Sequence, residues 1–248
     1  RVYDMPQMWD LISKKGFKNW VVIGAMNATH QNKDPENVFI PDPWSYKEMA
    51  FPSHYGNLIS LPQYVSKNYS DIDYLKAFPK LLKTIFFFLR FKYLGIFLKI
   101  FLKIIKANFT CGLNIHSFTT LLDYTYTLLF QKIKLTKKSN FSLIFLNHIA
   151  HLQHQFWINS DKFHPQMKFG LQICDECIGI LLKNKKKDEK IFILNAIRQE
   201  KNISNSFYIY RQKNPSLFLS KIGVKNFDIM QNMTNEGNIS FRSHLDKM

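Results

Sequence analysis

Short apolar runs rich in β-branched residues, each separated from the next by a helical stretch, constrain this 248-residue chain more than any other feature. Asn19-Trp20-Val21-Val22-Ile23-Gly24-Ala25 reads as a buried strand closed by glycine, and Val38-Phe39-Ile40 as a second, stopped by Pro41. Phe141 to Asn147 gives a third, and Lys190 to Asn195 a fourth. Met8 to Lys15, ending at Gly16, Leu121 to Lys134 and Met167 to Lys183 carry the helical period instead. Strands apolar on both faces and interleaved with helices are the pattern of a mostly parallel sheet covered on both sides. The expected class is α/β.

Residues 74 to 122 break this rhythm. No acidic residue occurs between Asp73 and Asp123, while Lys76, Lys80, Lys83, Arg90, Lys92, Lys99, Lys103 and Lys106 supply eight of the positive charges behind a net +16. Leu, Ile and Phe fill the rest, so two amphipathic helices with a break near Gly95 are expected. The expected organisation is residues 1–73 and 136–248 as two parts of the α/β core, with 74–135 as a basic helical insertion. That insertion reads as a packed element with solvated lysines, as a lid over an anion-binding cleft, or as a hairpin on an anionic membrane surface through residues 76–106. No uncharged run approaches the roughly eighteen residues that a bilayer span needs.

With 46% hydrophobic and 15% aromatic residues the chain is neither disordered nor a disulfide-framed miniprotein. Its basic excess is mostly Lys in a chain crowded with Asn, Ile and Phe, a bias that A+T-rich coding also produces. The three cysteines form no framework. Cys174 and Cys177 have redox-motif spacing but fall in mid-helix among apolar residues, which suits packing rather than chemistry. A glycine-rich phosphate loop, a Gly-x-Ser-x-Gly elbow and a nucleic-acid signature of basic residues interleaved with aromatics are all missing. With no signal peptide or transmembrane helix, a cytoplasmic or membrane-peripheral location is expected. The chain opens Arg1-Val2-Tyr3-Asp4 and reads as an internal portion of a longer polypeptide.

The densest chemistry lies in Asn147-His148-Ile149-Ala150-His151-Leu152-Gln153-His154, directly after the third strand. Three imidazoles within seven residues at the carboxyl end of a parallel strand suit a metal or a phosphate, because that end is where α/β sheets bind ligands. Asp42 and Trp44 follow the second strand and are candidate substrate contacts for the same reason. The alternative for that loop is a rigid turn with a buried Trp.

Phe145 to His154, with Asn159-Ser160 behind it, is similar to a segment of type I phosphodiesterase/nucleotide pyrophosphatase-like proteins of the alkaline phosphatase superfamily. Asn195 to Gln199, Phe207 to Arg211 and Met233-Thr234 through Phe241 follow in the order that family shows, and Phe39 to Ser45 fits upstream. The resemblance implies a three-layer α/β/α sandwich. It also implies hydrolysis of phosphate or sulfate esters at a pair of divalent metals, Zn or Mn, with a Thr, Ser or Cys nucleophile. Metal ligands would come from His151, His154, Asn147 and His148, and Arg211 would contact an anionic small molecule or lipid head group. In the family's Asp-x-x-x-His segment His154 matches the His, but Ala150 stands in place of the Asp, so that His151 or Asn147 would substitute. The later Asp-His pair is replaced by Asn195-Ala196, and the nucleophile is expected upstream of Arg1, so no catalytic residue is assigned. His244 is offered for a last ligand. A rival reading from another class is a catalytically silent α/β scaffold that binds a partner or a membrane surface through the basic helices.

Overall fold

The structure, a computed structural model, describes residues 5–31, 34–69, 72–156, 164–183, 185–195, 210, 212–231 and 236–241. The chain forms two compact units, Arg1–Ser66 with Asp73–Lys201 and Lys67–Ile72 with Asn202–Met248.

In the first unit α1 (Met8–Lys14) ends at Gly16, whose φ of +85° is the left-handed conformation that stops a helix cheaply. β1 (Trp20–Ile23), β2 (Val38–Ile40) and β3 (Phe141–Ile144) make a parallel sheet in the order β2-β1-β3, with Val21 opposite Val38 and Ser142. Alternation along the strands sorts their side chains onto two faces. Val21, Ile23, Val38 and Ile40 pack with Tyr126, Leu129 and Ile133 on one side, whereas Trp20, Val22 and Phe39 pack with Trp9 of α1 on the other. The α/β class is therefore observed.

Between β2 and β3 come α2 (Gly56–Lys67), α3 (Tyr74–Leu89), α4 (Leu94–Thr110) and α5 (Ile115–Lys137). Asp73 caps α3 by accepting from the amides of Leu75 and Lys76, and Asn114 caps α5 through His116 and Ser117. The two basic helices expected from the sequence are present, with the break near Gly95 formed by a 3₁₀ turn over Phe91–Tyr93. The expected insertion boundary at residue 135 is too late. α5 carries buried residues from Ser117 to Lys134 and is the helix on which the sheet packs, so this stretch belongs to the core. The acid-free run continues into α5, but layer membership follows apolar burial rather than charge.

α5 runs antiparallel to the strands. Asp123, near its start, meets Asn147 beyond the end of β3, while Asn140, just past its end, donates to the Asn19 carbonyl at the beginning of β1. After β3 come α6 (His148–Phe156) and α7 (Pro165–Lys183), both packed on α5. The fourth strand expected at Lys190–Asn195 does not form. Among the described residues nothing pairs with it, and Phe192 and Leu194 are 77% and 83% exposed. Strand propensity is realised only where a ladder and a face to bury exist.

The second unit holds α8 (Pro215–Lys221), capped by Asn214, and an antiparallel hairpin of β4 (Phe227–Gln231) with β5 (Gly237–Phe241). Among the described residues no helix is long and apolar enough to cross a membrane.

Candidate functional site

The loops that follow β1, β2 and β3 leave the sheet at its carboxyl end. Gly24 closes β1 with φ +73°, and a Cβ built there would stand 3.0 Å from the Phe145 carbonyl and 3.5 Å from the Tyr126 ring, so only glycine fits. Two residues past β2, Asp42 is buried and its carboxylate accepts from the Trp44 amide (2.8 Å), the Ser45 hydroxyl (2.5 Å) and the Asn27 amide (3.3 Å). Asn27 belongs to the β1 loop, so the Asp42 side chain ties the two loops together. The Trp44 ring is half-buried beside Tyr46.

Past β3 a second buried carboxylate organises the start of α6. Oδ2 of Asp123 accepts from the backbone amides of Asn147 (2.6 Å) and His148 (2.8 Å), and it faces Nδ1 of His148 at 2.8 Å. Asp123 thus caps α6 from a different helix, with its negative charge at the positive helix end. His148 is 1% exposed, and its other nitrogen, Nε2, faces the Gly170 carbonyl of α7 at 3.1 Å. Both ring nitrogens face acceptors, so both contacts are donations only in the imidazolium form. The expected metal-ligand role of His148 is corrected here: neither nitrogen points to solvent, and the ring pins α5, α6 and α7 together.

The hydroxyl of Tyr126, which both carboxylates influence, is buried and without a hydrogen-bond partner among the described residues. Burial first, then the negative charges of Asp123 and Asp42, push its pKa well above the ordinary phenol value. The hydroxyl is a neutral donor that a ligand oxygen could satisfy.

His151 is half-buried, and its Nε2 lies 3.3 Å from Nδ2 of Asn147. Burial is the main cause that lowers its pKa. Asp123 opposes this, and the histidines 154, 116 and 148 add to it, so the ring is neutral at pH 7. His154 is exposed. His116, at the start of α5, meets Phe156 edge-on, and Phe156 stacks on His164 at 4.2 Å. Asn147, His151 and Asp42 therefore share the rim, His154 sits at its margin and His148 lies beneath it. Arg211, Asn159, Ser160, Ala196 and His244 lie outside the described residues.

The divalent metal implied by the resemblance finds an incomplete donor set. Asp42 and Oδ2 of Asp123 are engaged by N–H and O–H donors, His148 is engaged on both sides, and among the described residues no group of three His, Cys, Asp or Glu side chains converges. A divalent ion at this rim would be held by His151 and His154. Cys177 is buried in a cluster with Tyr124, Phe169 and Ile173, its thiol pushed up to about 12 mainly by burial, as packing residues behave.

The sequence reading missed Asp123, Tyr126, Ser45 and Asn27. Asp123 carried a signal, being the only acidic residue between positions 74 and 160. Comparison with family models, with curated proteins and with solved structures yields no match.

Proposed function

We propose that the first unit is the α/β core of a hydrolase of phosphate or sulfate esters, arranged as a three-layer α/β/α sandwich with its substrate cleft at the carboxyl rim. One observation carries the reading. Two buried carboxylates, Asp42 and Asp123, follow or adjoin the carboxyl ends of the parallel strands close to the α6 turn bearing His151, and both act on the Tyr126 hydroxyl, which has no hydrogen-bond partner among the described residues. Polar groups at that end of a parallel sheet favour ligand binding, and the similarity of Phe145 to His154 to type I phosphodiesterase-like proteins supplies the reaction class. In this reading a divalent metal, Zn or Mn, is held by His151 and His154 with further donors. Asp42, Trp44 and Arg211 line the path of an anionic small molecule or lipid head group, and the protein is cytoplasmic or peripheral to a membrane. Zn titration of the chain by calorimetry reads the site without requiring turnover. H151A/H154A should abolish binding, and a chromogenic phosphodiester should be turned over only with metal present. Zn binding unchanged in the double variant overturns the proposal.

A second reading, a catalytically silent module on an anionic membrane surface, is favoured by a different observation. Leu75, Phe78, Leu82, Phe86 and Leu89 of α3, and Leu94, Leu98, Phe101, Ile105 and Phe109 of α4, form apolar stripes that remain exposed, with Leu75 at 88% and Phe109 at 83%. Among the described residues Lys83, Arg90, Lys99 and Lys106 beside them have no acidic partner. Such a face suits the boundary between head groups and acyl chains. Flotation with phosphatidylserine vesicles that fails for K99Q/K106Q, with no phosphodiester turnover, would favour this reading.

A further inference from the structure

The amino end of the sheet, opposite the rim, carries a cavity of about 260 Å³ beside Val38, the first residue of β2. Val38, Pro52, Tyr55, Tyr93 and Ile133 give it apolar walls, and Lys92, Lys132 and Lys137 give it charge. His54 also lines it, its ring tilted against that of Tyr55 with centroids 4.1 Å apart, and its Nε2 is buried and without a hydrogen-bond partner among the described residues. The groups facing this imidazole come from every side. Arg90 and Lys92 belong to the turn between α3 and α4, Lys132 and Lys137 to the last turns of α5, and Glu36, paired to Lys137 at 3.2 Å, to the loop before β2. Among the described residues no acidic side chain lines the cavity itself. Burial first, then Lys92, Arg90 and Lys137, hold the His54 pKa below its ordinary value. Lysines late in a helix complement its dipole, which accounts for Lys137 on its own terms. That argument covers neither Lys92, which arrives from another element, nor the bare nitrogen of His54.

We infer that this cavity is a binding site for a phosphate group, carried by a small soluble molecule or by a lipid head group. Lys92, Lys132 and Lys137, less the Glu36 carboxylate paired to Lys137, leave about two positive charges to match a phosphate, Nε2–H of His54 gains an acceptor, and the apolar walls hold a short organic body. The volume is below the range of sites for drug-sized ligands, which limits that body to a few atoms. The inference does not depend on the rim being catalytic.

The test follows the His54 ring by NMR in the whole chain while inorganic pyrophosphate, or in a parallel arm phosphatidic acid vesicles, is added. H54Q identifies the resonance. A bound anion opposes the surrounding cations, so the midpoint of His54 should rise as the site fills. K92Q and K137Q, both surface changes, should each weaken pyrophosphate about tenfold, in line with loss of one charge-assisted bond, while K106Q leaves binding as it was. A rise with vesicles alone supports the site and assigns the phosphate to lipid. No rise in either arm, or an equal rise in K92Q and K137Q, overturns the inference.

Discussion

Replacing Asp123 with Asn tests whether the buried carboxylate is the keystone of the rim. In the native protein Oδ2 takes three donors, the amides of Asn147 and His148 and the Nδ1 of His148, at 2.6 to 2.8 Å. An asparagine keeps the shape and one acceptor oxygen but loses the charge. Hydrogen bonds to a charged group contribute about 1.5–3 kcal/mol against roughly 0.5–1.5 for neutral ones, a difference near 1 kcal/mol per bond. Three such bonds give about 3 kcal/mol. Against a domain stability of about 5–15 kcal/mol this is a large fraction. With a urea slope of about 1–3 kcal/mol/M the unfolding midpoint should fall by about 1–3 M. Far-UV circular dichroism in urea reads it, since most helices belong to the first unit. A double-mutant cycle with His148→Gln should return a coupling of at least about 1 kcal/mol, because the two side chains share their bond. A cost under about 0.5 kcal/mol, the range of ordinary surface substitutions, or strict additivity of the two changes, would refute the argument.

Gly170→Ala should cost about 1–3 kcal/mol, since its Cβ would stand 2.1 Å from Cδ1 of the fully buried Leu152 and 3.7 Å from the His148 ring. Leu152→Val in the same chain should recover part of the loss, and thermal melts with no difference between native and G170A would remove the packing claim. The histidines 54, 116 and 151 all have pKa values lowered from 6.5, mainly by burial. The unfolded chain therefore binds more protons than the folded one in the window just below pH 6.5, and stability must fall as pH drops through it. Melting temperatures between pH 7 and 5 should show that slope, H54Q/H116Q/H151Q should flatten it, and an unchanged slope in the triple variant would contradict the assignment.

What the sequence disclosed follows from which interactions are local. The β-branched runs at Val21 and Val38 and the helical period from Met167 to Lys183 are properties of consecutive residues, and each matches an element of the fold. The failure at Lys190–Asn195 is of the other kind, since that run is a strand only if an edge receives it. The same division holds at the rim. Asp42 was legible because it lies two residues past a strand. The Asp123–His148 pair spans 25 positions and depends on α5 lying antiparallel to the sheet, which no local pattern encodes.

The fate of the three imidazoles shows how spacing misleads when the helix around it is ignored. Positions 148, 151 and 154 each step three residues along α6, and three residues fall about 60° short of a full turn. The series therefore fans across the helix, from His148 against α5 and α7, through half-buried His151, to exposed His154. The middle ring stands on the rim with His154 at its margin, and its Nε2 already accepts from the Asn147 side-chain amide. An incoming cation must displace that amide. Asn147→Ala should therefore tighten Zn binding at His151 if the rim is a metal centre. Weaker binding in that variant would instead mean that Asn147 is itself a ligand, as its place before the histidines first suggested.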